Sequence, residues 1–277
     1  MAKGIGLIGN FKGKVGNMVG YKLIDSNTGN SQGIRVYQPI VRNPKTSAQA
    51  EQRAKLAPIN VTYRALKMVI DRGNEGLPYG NKSRLAWLKQ AFKAEGMPWF
   101  VKGANPDFPV VCLLTKGSLV GVNYFISGSA LKIEANGLTD ETDVTTIGKL
   151  STALLGAIPS LRAGDQITFV TLQPVYGQLS SKVFSFVLNT EDATSQTLIK
   201  VESNSVFMDA FDEAGFGAVI VSREGANGEH LRSTTTLLAT SSATDVAPYD
   251  ADSKAAAIAS YQNASGANAD WAEESIQ

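Results

Sequence analysis

Cysteine, histidine and long apolar runs are all scarce in this sequence, and each scarcity excludes something. Cysteine occurs once, at Cys112 in the apolar run VVCLL, so neither an internal disulfide nor a cysteine zinc site can form. That setting marks Cys112 as a small buried hydrophobe and not a reactive thiol. Histidine also occurs once, at His230, which excludes His-rich metal sites and leaves one residue for imidazole chemistry. No stretch approaches the roughly 18 consecutive apolar residues that a membrane-spanning helix needs. The start, MAKGIGLIGNFKGK, has small apolar clusters broken by Gly and Lys. It lacks the continuous apolar core and small-residue cleavage site of a secretory signal. Synthesis in the bacterial cytoplasm is the expectation, with no membrane partner, although a protein packaged in a particle would leave the cell with it.

What is present suits a globular chain. Its 277 residues are 43% hydrophobic and 18% charged, enough to bury a core as one large domain or two modest ones. The net charge of +1 conceals a division. Residues 1–103 carry 17 Lys and Arg against 5 Asp and Glu, whereas residues 104–277 carry 9 against 20. A first third at +12 facing a remainder at −11 points to a negative partner for the former. Nucleic acid fits, because each neutralised phosphate releases counterions. So does the acidic part of a neighbouring copy, because a polar-charged subunit attracts its own kind head to tail. The plainer alternative is two solvated faces with no specific partner.

Periodicity divides the chain into four segments. Residues 1–43 form a basic, Gly-punctuated arm in which NMVGYKLI and GIRVYQPI flank the polar DSNTGNSQ as a hairpin with a longish loop. Such an arm allows close backbone approach to another surface. Residues 44–103 read as helical. Thr46 or Ser47 is the expected cap, Leu56, Ile59, Tyr63, Leu66 and Ile70 recur at helical spacing, and Pro58 is expected to kink or divide the run. A second helix, KSRLAWLKQAFKAEG, sets Leu85, Leu88 and Phe92 on one stripe. From residue 104 to 247 the period falls to two, giving short strands interrupted by the helical TTIGKLSTALLGAI, which Pro159 closes. Residues 248–277 are an acidic tail with one helical piece, DSKAAAIASYQ. The expected class is α+β: a Gly-rich arm or β-hairpin and two helices, then a mainly antiparallel β-sandwich with a short helix.

Motifs that carry chemistry fail on context. Gly4, Gly6 and Gly9 spell GxGxxG, but only three residues precede Gly4 and the following stretch is too Gly-rich for the helix that would receive a pyrophosphate. Gly13-Lys14-Val15 fails as a phosphate loop because Val15 cannot ligate magnesium. A Ser-His-Asp triad would have to use His230, and no GxSxG elbow is present. Adjacent carboxylates such as Asp140-Glu141 and Glu273-Glu274 read as solvated charge, since a tuned acid–base pair needs a shaped cleft. These failures point away from an enzyme, and no cofactor or metal is expected. The contact residues are expected on the arm. Lys12, Lys14, Lys22, Arg35 and Arg42 are interleaved there with Phe11, Tyr21 and Tyr37. Cations beside rings suit single-stranded nucleic acid, whose bases stack on aromatics; the same rings would equally serve as a hairpin's buried face. The helical basics, Arg53, Lys55, Arg64, Lys67, Arg84, Lys89 and Lys93, read as a solvated face.

Three phrases carry a resemblance: GIGLIGNFKGKVGNMVGYK, RVYQPIVRNPKTSAQAEQR and, more weakly, GAVIVSREGANGEHLRSTT. They resemble a family of functionally uncharacterised proteins of Bacteroidota and their gut phages. The first two cover roughly residues 4–53, and no catalytic residues come with the family. The resemblance implies an origin in a phage or mobile element. The resulting expectation is a virion structural protein that forms a homo-oligomer or contacts other virion proteins, with a single-stranded-DNA coat protein as the alternative.

Overall fold

A computed structural model describes residues 13–25, 29–37, 46–138, 144–211, 215–226, 228–240, 243 and 248–263. The chain divides into two compact units, residues 1–45 and 46–277. In the first, β1 (Gly13–Val15), β2 (Met18–Asp25) and β3 (Gly29–Val36) make a three-stranded antiparallel meander in that order. The expected hairpin is therefore present with one more strand. Its two long strands also run further into the polar segment, pairing from Met18↔Val36 to Asp25↔Gly29.

The second unit has an α+β fold with a mainly antiparallel, sandwich-like arrangement of sheets. Its central sheet runs β12 (His230–Arg232), β11 (Phe216–Glu224), β7 (Gln166–Val175), β8 (Gln178–Val187). A second sheet runs β5 (Tyr124–Ser127), β6 (Ala130–Glu134), β10 (Ser205–Asp209), β9 (Ile199–Glu202). β4 (Leu113–Thr115) pairs with β13 (Thr235–Thr236), and β14 (Leu238–Ala239) pairs with β11. The register of β7 on β11 sorts their side chains by parity. Ile167, Phe169, Val219 and Val221 join a core with Leu131, Ile133, Val206 and the helix α4 (Ile147–Ala157). Val170, Leu172, Phe216, Ala218 and Ile220 join a separate core on the opposite face, beneath helices. A strand covered on both faces cannot afford alternating polarity, which is why Phe216–Val221 is buried without a break. β10 escapes a sequence reading for a different reason: it lies mid-sheet, and SVFMD is too short to announce a period.

The helical layer is α1 (Ser47–Ala65), α2 (Lys67–Ile70), α3 (Asn81–Ala91) and α5 (Ala251–Asn263). Thr46 caps α1 as expected, its hydroxyl accepting from Gln49 N at 3.3 Å. Two details differ from the sequence reading. α1 runs through Pro58, and the break falls at Leu66 (φ −111°, ψ 21°). Pro58 is buried, and the core contacts of its ring offset the backbone bond that it cannot make. In α3 the buried face is Ser83, Trp87 and Ala91, while Leu85 is 50% exposed. Leu88 and Phe92 of the expected stripe pack against the core, partly buried. The face is turned from Leu85 toward Trp87, the largest apolar side chain on the helix, and two small residues a turn from it let the helix approach closely. α5 docks on the same layer. Trp99 N donates to Pro248 O, Tyr249 Oη donates to Pro109 O, and Lys254 joins Lys55 at the ring of Trp99 and at the carboxylate of Glu51.

Candidate functional site

The arm positions its cations by register. Lys14 pairs with Val19, which pairs with Arg35, so Lys14 and Arg35 share one face of the meander. Tyr37, two residues beyond Arg35, brings its ring to the same face, and Lys14 Nζ stands 3.6 Å from its centroid. Met18 pairs with Val36, and Gly20 with Ile34, which places the apolar side chains on the opposite face. Ile34 is 53% and Val36 72% exposed, so the meander presents an apolar surface on one side and a cation–aromatic surface on the other. Of the expected contact residues, Lys14, Arg35 and Tyr37 are thus brought together. Tyr21 and Lys22 lie in β2, paired with Gly33 and Gln32. Phe11, Lys12 and Arg42 lie outside the described residues.

Lysines beside aromatics also occur on the outer face of the second sheet, with a different electrostatic outcome. Lys132 and Lys200 flank Phe207 at 5.0 and 5.9 Å from its centroid. Each is neutralised by a carboxylate, Lys132 by Glu202 at 2.6 Å and Lys200 by Asp209. Among the described residues, neither Lys14 nor Arg35 has such an acidic partner. The helical basics divide: Arg53, Arg64, Lys67, Lys89 and Lys93 are exposed, while Lys55 and Arg84 lie half-buried over Trp99 and Tyr63.

His230 sits in a place that its sequence context did not foretell. With Glu229, Leu231 and Arg232 it forms one wall of a cleft of about 480 Å³ whose other wall is the loop Asn74–Tyr79. The exposed Tyr79 ring lies 5.7 Å from the imidazole and 5.5 Å from the Arg72 guanidinium. One of the two acids in this cleft, Glu75, serves as a strut. Its carboxylate accepts from Ser118 N at 2.9 Å, Ser118 Oγ at 2.7 Å and Arg232 N at 3.2 Å. The Ser118 amide is the leading cause holding its pKa below the ordinary value, against the opposing effect of burial. Among the described residues the His230 side chain bonds to no carboxylate or hydroxyl, and no three His, Cys, Asp or Glu side chains are grouped to hold a metal ion. Cys112 is buried, and burial pushes its thiol up to about 12, the inert state expected of it. Nothing in the turn-rich GNEGLPYG marks Tyr79 or Glu75 in advance, since neither belongs to a periodic face.

Compared with protein-family models, with curated proteins and with solved structures, the chain matches none.

Proposed function

We propose that the chain is a non-catalytic assembly protein, a component of a phage particle, whose basic N-terminal unit contacts neighbouring subunits or the packaged genome. The observation that carries this reading is the two-sided meander. A three-stranded sheet with exposed Ile34 and Val36 on one face has too little of its own to cover them. Lys14 and Arg35 on the other face offer positive charge to a surface of opposite sign. A single unit that is apolar on one side and cationic on the other is suited to being sandwiched between other molecules. The strut-like role of Glu75 supports the non-catalytic part, because a carboxylate committed to three donors is a poor general base. The resemblance over residues 4–53 supports the particle.

A second reading, a single-stranded nucleic-acid coat protein, is favoured by the Lys14–Tyr37 stack, since bases stack on rings beside cations. Light scattering of the purified full chain, at low and high salt and with and without a single-stranded DNA oligonucleotide, separates the two. A large oligomer without DNA that shrinks in salt supports the assembly role. A monomer that changes size only on adding DNA supports the coat protein, and a monomer indifferent to both overturns the two readings together.

A further inference from the structure

We infer that the outer edge of β8 is a pairing surface for β8 of a second copy, joining two central sheets into one across a twofold axis. This rests on the assembly role proposed above and names one contact within it. β8 is the terminal strand of its sheet and pairs with β7 in unbroken register from Val175↔Gln178 to Gln166↔Val187. The two strands are joined by Tyr176-Gly177, both at positive φ (50° and 71°). A two-residue turn of this kind makes Val175 and Gln178 a hydrogen-bonded pair. Even-numbered residues of β8 therefore bond inward to β7, as the Leu188 N to Asp165 O bond of 2.7 Å continues to do beyond the strand. Odd-numbered residues, Leu179, Ser181, Val183, Ser185 and Val187, turn their N–H and C=O groups outward. Among the described residues none of these groups finds a backbone partner.

An open edge of this length is normally blunted by proline, a bulge, inward charge or a covering element. β8 has no proline, no register shift and one charge, Lys182; α1 reaches only its first half, where Ser181 Oγ donates to Ala65 O at 2.8 Å. Val183 and Val187 are each 48% exposed beside that edge. The sequence of the strand, QLSSKVFSFV, is also complementary to itself when reversed. With the axis at Val183, Leu179 faces Val187 of the second copy, Ser181 faces Ser185, and Val183 faces Val183. On the other side of the sheet Lys182 faces Phe184, and Ser180 faces Phe186. Apolar meets apolar, hydroxyl meets hydroxyl, and the ammonium meets a ring face. With the axis on residue 182 the outward groups of Ser181 and Val183 would still pair, but Lys182 would face its own copy across the ladder, and that like-charge contact disfavours the register. Every facing pair on the outward positions exchanges two bonds, and the contact is isologous, as a twofold requires.

Light scattering in high salt tests this, because salt screens contacts made by the charged arm and leaves a backbone ladder intact. Val183→Pro removes one outward N–H and leaves the inward ladder to β7 whole. Val183→Lys sets two ammonium groups face to face on the axis. In high salt the wild type is expected at twice the 29.4 kDa chain mass. Both variants are expected at the single-chain mass, with circular dichroism unchanged. As a second readout, Val183→Cys is expected to give a covalent dimer with a short bis-maleimide while Cys112 stays buried and unreacted. A wild type that assembles in low salt but is a single chain in high salt overturns the β8 pairing alone. A doubled mass that survives both substitutions does the same. A single chain at every salt concentration overturns the pairing and the assembly role together.

Discussion

Arg223 grips the carboxylate of Asp165 with two parallel bonds, Nε to Oδ1 at 2.5 Å and Nη2 to Oδ2 at 2.7 Å, and Asp165 is closed to solvent. The same carboxylate accepts from Arg162 N at 2.8 Å, and Arg223 also reaches Ser160 O. The hydrogen bonds that Arg223 donates to Asp165 are the leading cause raising its pKa above the ordinary value. The pair thereby ties the turn entering β7 to the far end of β11. Asp165→Ala leaves a largely buried guanidinium without its counter-charge. It is expected to destabilise the fold by about 3–5 kcal/mol, read as a lower urea midpoint with unchanged slope. An equal midpoint would show the pair to be inessential.

Glu75 makes stability pH-dependent with a definite sign. Its folded pKa lies below the unfolded value, so its contribution is complete above that unfolded value and is lost as pH falls through the folded one. Glu75→Gln keeps the shape and removes the charge. The urea midpoint of the variant is expected to lie below that of the wild type at pH 7, and the gap is expected to close as the pH drops below 4.5, the ordinary value for this group. A gap that stays constant with pH would assign the effect to shape and not to ionisation.

How much of this was legible beforehand depends on whether a residue's role is local. Thr46 as a cap, α4 ending before Pro159 and the period-two strands are local, and the sequence shows them. The rotated face of α3 is not local. It depends on Trp87 meeting Tyr63 at 6.3 Å between ring centroids, a contact with a different helix. Pro58 misleads for a related reason, since its penalty is intrinsic but its compensation is tertiary. The arm's cation face was legible in composition, yet the pairing of Lys14 with Tyr37 needed the extra strand β1, whose three residues carry no periodic signal. The cleft at His230 is the extreme case, because its walls come from residues 74–79 and 229–232, brought together by the whole second unit.

Gly117, packed against the Glu75 strut, tolerates no side chain. A Cβ there would fall 2.1 Å from Arg232 O and 2.6 Å from Glu75 Oε2. Gly117→Ala must displace either β12 or the Glu75 strut, and a loss of about 1–3 kcal/mol is expected. Gly156 is the contrast: it lies within α4, and nothing stands within 4 Å of its would-be Cβ. Gly156→Ala is expected to gain roughly 0.5–1 kcal/mol from helix propensity. Thermal melts of the two variants should move in opposite directions, and a shared direction would contradict the packing described around Gly117.

Tyr176 occupies the first position of the β7–β8 turn at φ 50°, fully exposed, where a side chain other than asparagine or glycine is strained. The aromatic ring makes no packing contact that would offset this cost, since its exposure equals that of an isolated residue. Tyr176→Asn supplies the residue that this turn prefers, next to Gly177, which already does so. The variant is expected to be more stable by about 1 kcal/mol, seen as a higher urea midpoint. Because the turn sets which residues of β8 face outward, tightening it should also leave the mass of the chain in high salt unchanged. A variant that gains stability but loses mass would show that the Tyr176 ring itself takes part in contact between copies, a role that its strained and exposed position would then explain.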